Sequence, residues 1–178
     1  MNHPTTAELE SKLAWLSECP KDGGKITGIV IRPRTNERVL LSECEVSPEL
    51  GVQGDNWASR SHDENPNSAT QITIMNTRMI ELLADEKKRQ ALAGDQFFAD
   101  MDLSKTNLKV GQQLRVGTAT LEIMSKPHRG CLKFSKRFGA DALRFVNSEA
   151  GIGMRLRGVY ARVISSGSVE VGSVLEKI

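Results

Sequence analysis

Arg157-Gly158-Val159-Tyr160-Ala161-Arg162-Val163-Ile164-Ser165, then Ser166-Gly167, then Ser168-Val169-Glu170-Val171-Gly172-Ser173-Val174-Leu175-Glu176, reads as a β-hairpin. Its two runs are rich in β-branched and apolar residues, and the Ser-Gly pair between them supplies the turn. The same signal recurs toward the N-terminus. Ala119 to Met124 and Leu114 to Val116 are strand-like, punctuated by Gly111 and Gly117. Phe97 to Leu103 places Phe97, Ala99, Met101 and Leu103 at alternate positions, the spacing of a strand with one face inward. Gln71 to Met75, Val39 to Val46 and Ile26 to Arg32 bring the set to about eight short strands. No regular βαβ rhythm separates them. The pattern predicts a mainly β fold with a few helices, a closed or nearly closed β-barrel; an α+β sheet with helices on one face is the alternative.

The helical signals are fewer. Thr5 or Thr6 caps a short helix with Leu9, Leu13 and Leu16 on one face, ended by Pro20 and Asp22-Gly23-Gly24. Asn76 reads as the N-cap of a helix to about Leu92, with Met79, Leu82 and Leu83 inward and Gly94 as the stop. Two further helical segments fall at about 131–137 and 141–147. Residues 51–69 read as a long polar loop, of a length that is usually functional or mobile.

With 178 residues the chain has the length of one domain: an N-terminal helical extension over 1–24 and a barrel over 25–178. The net charge of +2 is too small for bulk nucleic-acid binding, and 4% aromatic residues weaken a base-stacking platform. No apolar run reaches the roughly 18–20 residues of a membrane span. Met1 to Thr6 has neither the basic nor the apolar part of a signal peptide. Three widely spaced cysteines make no disulfide framework, so the expected compartment is the cytoplasm, where thiols stay reduced.

One of those cysteines has unusual surroundings. From Ile123 to Ala140 there is no carboxylate, while five Lys/Arg and His128 fall in the same span as Cys131. A free thiol ionises near pH 8.5, leaving about 3% thiolate at neutrality. One cation roughly 6 Å away, at an effective dielectric near 20, is worth about 2–3 kcal/mol, or about two pKa units. Pro127 should stop the preceding strand, Gly130 supplies a flexible turn, and Leu132 and Phe134 begin a helix, placing Cys131 at or near its N-terminus. Such a site suits an activated sulfur, an anion held by Lys, Arg and free N–H groups, or a soft transition-metal ligand. The competing reading is a buried structural cysteine beside a solvated basic face.

Other constellations stay open at this level. His128 and Cys131 form an H-x-x-C pair, but His3, His62, Cys19 and Cys44 show no spacing that completes a zinc site, and Cys19 and Cys44 read as small apolar residues. Gly51-x-x-Gly54-Asp55-Asn56 is a turn or an anion cradle. His62 is an exposed loop histidine or a general acid. Arg155-Leu156-Arg157 extends a basic surface or forms the outward face of a strand. No Ser/His/Asp order or carboxylate pair supports hydrolase chemistry.

The run Pro127-His128-Arg129-Gly130-Cys131-Leu132-Lys133-Phe134, with Arg137-Phe138-Gly139 and Arg157 to Ala161 after it, resembles the MOSC domain, the family named for the C-terminal domain of molybdenum cofactor sulfurases. Gly28 to Pro33 resembles that family's opening strand, Gly51 to Asn56 its Gly-x-x-Gly-Asp loop, Gln71 to Met75 its Gln-x-Thr strand, and Gly94-Asp95-Gln96-Phe97 its Gly-Asp/Glu-Asn/Gln motif. Val110-Gly111 and Gly167 to Gly172 resemble later turns. The resemblance spans roughly 25–178 and implies a MOSC-type β-barrel. It implies that Cys131 carries sulfur as a persulfide or ligates molybdenum in a pterin-bound cofactor. Lys126, His128, Arg129, Lys133 and Arg137, with Gly54, Asp55 and Asn56, are then the candidates to hold the cofactor. Many members have Pro before the cysteine; Gly130 here matches a small single-domain branch with a His-x-Gly-Cys pattern. The pyridoxal-phosphate desulfurase domain of full sulfurases has no room in 178 residues, and no pyridoxal phosphate site is recognised.

Three functions follow as expectations. The first is a molybdenum-cofactor oxidoreductase that reduces small N-hydroxylated compounds with an external electron donor. The second is a persulfide carrier supplied by a cysteine desulfurase or other sulfur donor. The third is a binding module whose basic patch meets an acidic partner or nucleic acid, nucleic acid being the least favoured.

Overall fold

The structure is a computed structural model that describes residues 3–60 and 68–178. Eleven strands are formed among these residues: β1 (Gly24–Ile31), β2 (Val39–Leu41), β3 (Glu43–Ser47), β4 (Gly51–Val52), β5 (Ile72–Asn76), β6 (Phe97–Asp100), β7 (Gln113–Val116), β8 (Ala119–Ile123), β9 (Val159–Ser165), β10 (Gly167–Glu170) and β11 (Val174–Lys177). Seven of them make a ring in the order β11-β7-β8-β9-β5-β6-β1, closed where Gly24 and Lys25 pair with Leu175 and Val174. The fold is therefore a closed β-barrel, mixed because β5 and β6 run parallel. Closure leaves no open edge on the ring, and β2 extends β1 outside it. A small sheet, β10-β3-β4, stands beside the barrel.

Side-chain alternation sorts the residues into two cores. Ile26, Ile29, Ile72, Ile74, Phe97, Ala99, Leu121 and Ala161 fill the barrel. Between these, Val30, Met75 and Phe98 point the other way, into a layer of helices. That layer contains α1 (Thr6–Glu10), α2 (Leu13–Ser17), α4 (Thr77–Leu83), α6 (Leu132–Phe138) and α7 (Ala140–Asn147), while α3 (Trp57–Arg60), α5 (Lys87–Gln90) and α8 (Glu149–Gly153) are short connections. Strands β1, β5 and β6 are thus apolar on both faces, and every residue of β5 is buried. Leu9 and Leu16 join the helical core, and Thr5 closes a capping box with Glu8 at the head of α1.

The strand count is larger than the sequence pattern predicts because two continuous runs are cut and β4 forms within the expected loop. The expected hairpin over 157–176 does not form: β9 pairs with β8 and β5, whereas β10 pairs with β3 of the small sheet. A tight turn then divides the second run, with Ser173 N–H bonded to Glu170 O and Gly172 at φ +102°. Val39 to Val46 is split at Ser42, whose carbonyl accepts from Val171 N–H. The helix from Asn76 is capped as expected, Asn76 Oδ1 accepting from Met79 N–H at 3.0 Å, but it ends at Ala84, which is extended at φ −160°. The rest of that run forms α5 and a 3-10 turn over Ala91–Ala93, and Gly94 stops it in the left-handed conformation. Within residues 51–69, β4, α3 and a 3-10 turn at Ser68–Thr70 replace part of the expected loop; its residues 61–67, His62 among them, lie outside the described residues.

Candidate functional site

Strand β8 ends at Ile123, and Met124 N–H bonds to Tyr160 O before the chain turns away from the barrel at Pro127. Gly130 is not the flexible turn that the sequence suggests. Asn147 of α7 clamps both its backbone groups, accepting from Gly130 N–H at 3.0 Å and donating to Gly130 O at 3.1 Å. A Cβ at this position would lie 2.8 Å from Leu143 Cδ1 and 2.9 Å from Val146 Cγ2. A side chain here would crowd the residues of α7 that pack against it.

That clamp delivers Cys131 to the N-cap of α6 with its side chain exposed, whereas Cys19 and Cys44 are buried. The three thiols differ accordingly. Burial pushes Cys44 up to about 12 and raises Cys19. At Cys131 burial also raises the pKa and is the largest single influence. It is outweighed by the backbone N–H groups of Phe134 and Lys133 and the charges of Arg157 and Lys133, so this thiol is lowered. Neither amide closes a conventional cap hydrogen bond on the sulfur.

Cys131 opens onto a cavity of about 350 Å³ lined by Arg32, Arg34, Arg38, Lys133, Arg137 and Arg157, with no carboxylate among the described residues of its wall. Two of these arginines are buried and locked. Asp55, whose side chain is fully buried, accepts from Arg32 Nε and Nη2, both at 2.9 Å, while Arg32 Nη1 donates to Gly94 O at 2.9 Å. Asp55 also accepts from the backbone N–H groups of Arg32 and Trp57. Arg157 donates to Asp95 Oδ2 at 2.6 Å and to Ala93 O at 3.1 Å, and its guanidinium lies 5.0 Å over the Phe134 ring. Arg137 is tied to Leu92 O at 2.6 Å. The carboxylates therefore stand behind the arginines and aim them, in bidentate or single charge-assisted contacts. Among the buried polar atoms of described cavity-lining residues, Asn56 Oδ1 and Arg157 Nε have no hydrogen-bond partner.

His128 forms part of the same wall. Its ring stacks on Tyr160 at 4.4 Å, and Nδ1 lies 3.6 Å from Asp95 Oδ1, beyond hydrogen-bonding range, so both atoms lack a partner. Burial, then the charges of Arg157 and Arg32, hold His128 well below its ordinary pKa, and the ring is neutral. Burial raises Asp95, opposed by Arg157 and Arg32.

The predicted residues fall into three groups. Cys131, His128, Lys133, Arg137 and Asn56 meet in the one cavity. Asp55 reaches it only through Arg32, and Gly54, at φ +82°, makes the turn that brings Asp55 round; the amides of Gln53, Asp55, Asn56 and Trp57 are all consumed internally, so the loop is a turn and not a cradle. Lys126 and Arg129 do not line this cavity; they line a second one on the other side of His128. Arg157 is buried, not outward-facing. Among the described residues no three of His, Cys, Asp and Glu are grouped to hold a metal ion. Arg32, Arg34, Arg38, Asp95 and Tyr160 carry no local signal that names them as lining or supporting residues. Gly158 gives a partial one for Arg157: at φ +107° its Cβ would meet Ile74 O at 2.4 Å, so the chain must cross β5 there.

The MOSC domain family model matches residues 55–176. No curated protein sequence matches the chain. Among solved structures, the YuaD protein from Bacillus subtilis is similar over 86% of this chain and 94% of its own, with 17% identity and a TM-score of 0.64. YiiM from Escherichia coli is similar over 86% of this chain and 69% of its own, with 18% identity and a TM-score of 0.56. YiiM from Geobacillus stearothermophilus gives 87% and 75%, with 15% identity and a TM-score of 0.58. At these identities the likeness is one of fold.

Proposed function

Because this chain belongs to the MOSC domain family, we propose that it binds a phosphate-bearing molybdenum–pterin cofactor, with Cys131 as the protein's ligand to the metal. One observation carries the reading: the exposed, acid-shifted thiol opens onto a cavity walled, among the described residues, by six cations and no carboxylate. The donor set fits such a group. Fixed guanidinium forks suit phosphate oxygens, a thiolate is a soft metal ligand, and the unpartnered Asn56 Oδ1 and Arg157 Nε offer an acceptor and a donor.

Arg32, Lys133, Arg137 and Arg157 would hold the phosphate and pterin, and Asp55 and Asp95 would keep two of those arginines in place. When bound, the cofactor supplies two-electron chemistry suited to reducing a small N-hydroxylated compound. The protein's own part is to neutralise negative charge, to favour the Cys131 thiolate and to hold His128 as a neutral hydrogen-bonding group in the wall. An electron donor is required as a partner. The reading places the protein in the cytoplasm; among the described residues no helix is long and apolar enough to cross a membrane.

The exposure of Cys131 favours a second reading, a persulfide carrier reached by a donor protein such as a cysteine desulfurase. There the Cys131 thiolate attacks the outer sulfur of the donor's persulfide, an S–S bond forms on Cys131, and the donor leaves as its thiolate. Elemental analysis with intact mass, on protein made in a cofactor-producing host, separates the two. About one molybdenum per chain, lost in Cys131→Ala, supports the first. A gain of one sulfur atom without metal, reversed by reductant, supports the second. Neither metal nor added sulfur, after reconstitution with cofactor and with donor, refutes both.

A further inference from the structure

The second cavity, also of about 350 Å³, lies across the His128 ring from Cys131 and has a different character. Its floor is apolar: Leu108, Met124, Pro127, Val146, Ile152 and Val159. Its rim carries Lys105, Lys109, Lys126, Arg129 and Arg155, and among the described residues no lining residue is acidic. A volume of this size is in the range that holds a small organic molecule, where an apolar body provides burial and a few polar groups fix orientation.

Arg155 is the second, independent sign of a built site. It is one of two non-glycine residues among the described ones held at positive φ, at +51°. Strained backbone of this kind concentrates where a side chain has to be aimed. Its Nη1 spans Leu108 O at 2.8 Å and Leu103 O at 3.3 Å, and no carboxylate pairs with it among the described residues. The guanidinium is anchored by neutral carbonyls, and its charge is left for something else.

We propose that this cavity binds an amphipathic organic carboxylate, with the alkyl or aryl body on the Leu108–Val146–Ile152 floor and the anionic head between Arg155 and the rim lysines. The site is separate from the Cys131 cavity, and its occupancy does not depend on cofactor or persulfide at Cys131.

Isothermal titration of the full chain with 2-naphthoate tests this, with 2-naphthalenemethanol as the uncharged counterpart. Saturable 2-naphthoate binding is expected, with the alcohol at least about tenfold weaker because the head charge is unanswered. Lys109→Glu with Lys126→Glu, both surface changes, should weaken 2-naphthoate by about tenfold or more through charge reversal at the rim. Ile152→Trp, which fills the floor without altering charge, should abolish binding, and Lys133→Glu in the other cavity should leave it unchanged. No saturable binding, equal binding of the alcohol, or weakening by Lys133→Glu and not by the rim reversals would overturn the proposal.

Discussion

The two cavities beside His128 have equal volumes and opposite designs. On the Cys131 side, Arg32 and Arg157 are buried, each fixed by a carboxylate behind it and a backbone carbonyl beside it. On the far side, Lys105, Lys109, Lys126 and Arg129 are exposed around an apolar floor. Cations fixed before a ligand arrives cost little further ordering when it binds, whereas rim lysines supply sign without geometry. The first design would suit an anion of defined shape, the second an anionic head of any shape.

The largest expected break between the two sides is at the sulfur. Native protein treated with a thiol-alkylating reagent should take one adduct, on Cys131, while Cys19 and Cys44 react only after unfolding; Cys131→Ala should take none. Mass spectrometry of peptides decides this, and native labelling of Cys44 would contradict the burial that lifts its pKa to about 12. Asp55→Ala should follow in size. It leaves Arg32 as an uncompensated buried charge, costing about 3–5 kcal/mol in denaturant unfolding, whereas Lys126→Ala across the wall should stay within about 0.5 kcal/mol. Similar losses for both variants would erase the distinction between fixed and rim cations.

Smaller effects sharpen the picture. The rate of Cys131 modification by a dianionic aromatic disulfide should fall about tenfold in Lys133→Glu and change little in Arg129→Glu, since only Lys133 shares the cavity with the sulfur. Acid should also reveal His128. Its folded pKa is depressed, so the unfolded chain binds a proton that the native state refuses, and stability falls as pH drops below about 6.5. Between about pH 6.5 and 5.5 that loss is about 1 kcal/mol, and it should shrink in His128→Gln, as read by unfolding at each pH. An unchanged slope in the variant would assign the acid sensitivity elsewhere.

Much of this was legible in the chain. Alternating apolar residues in β6 and β8 marked strands, and the barrel follows from their number and the lack of a βαβ rhythm. Cys131 announced itself by the cations around it. What a linear reading missed is what folding brings from far away. The span without carboxylates from Ile123 to Ala140 does not remain so in space, because Asp95 and Asp55 arrive from other segments to stand behind Arg157 and Arg32. Lys126 and Arg129 are close to Cys131 in sequence, yet the turn through Pro127 places them across His128. The continuous run over 157–176 gave no local sign that Gly167 would leave the barrel for the small sheet, since a strand's residues do not specify its partner.

The ring of strands is fastened where Gly24 pairs with Leu175 and Lys25 with Val174, with Ile26 bonded to Ser173 and Gly172 beyond them, joining the beginning of the sheet to its end. No side chain fits at residue 24, where a Cβ would lie 2.5 Å from Asp100 O. This seam joins the first strand of the chain to the last, so closing it carries the largest loop-closure cost in the sheet. Its amides should be the first of the barrel to exchange with deuterated solvent, marking where the cylinder unbuttons.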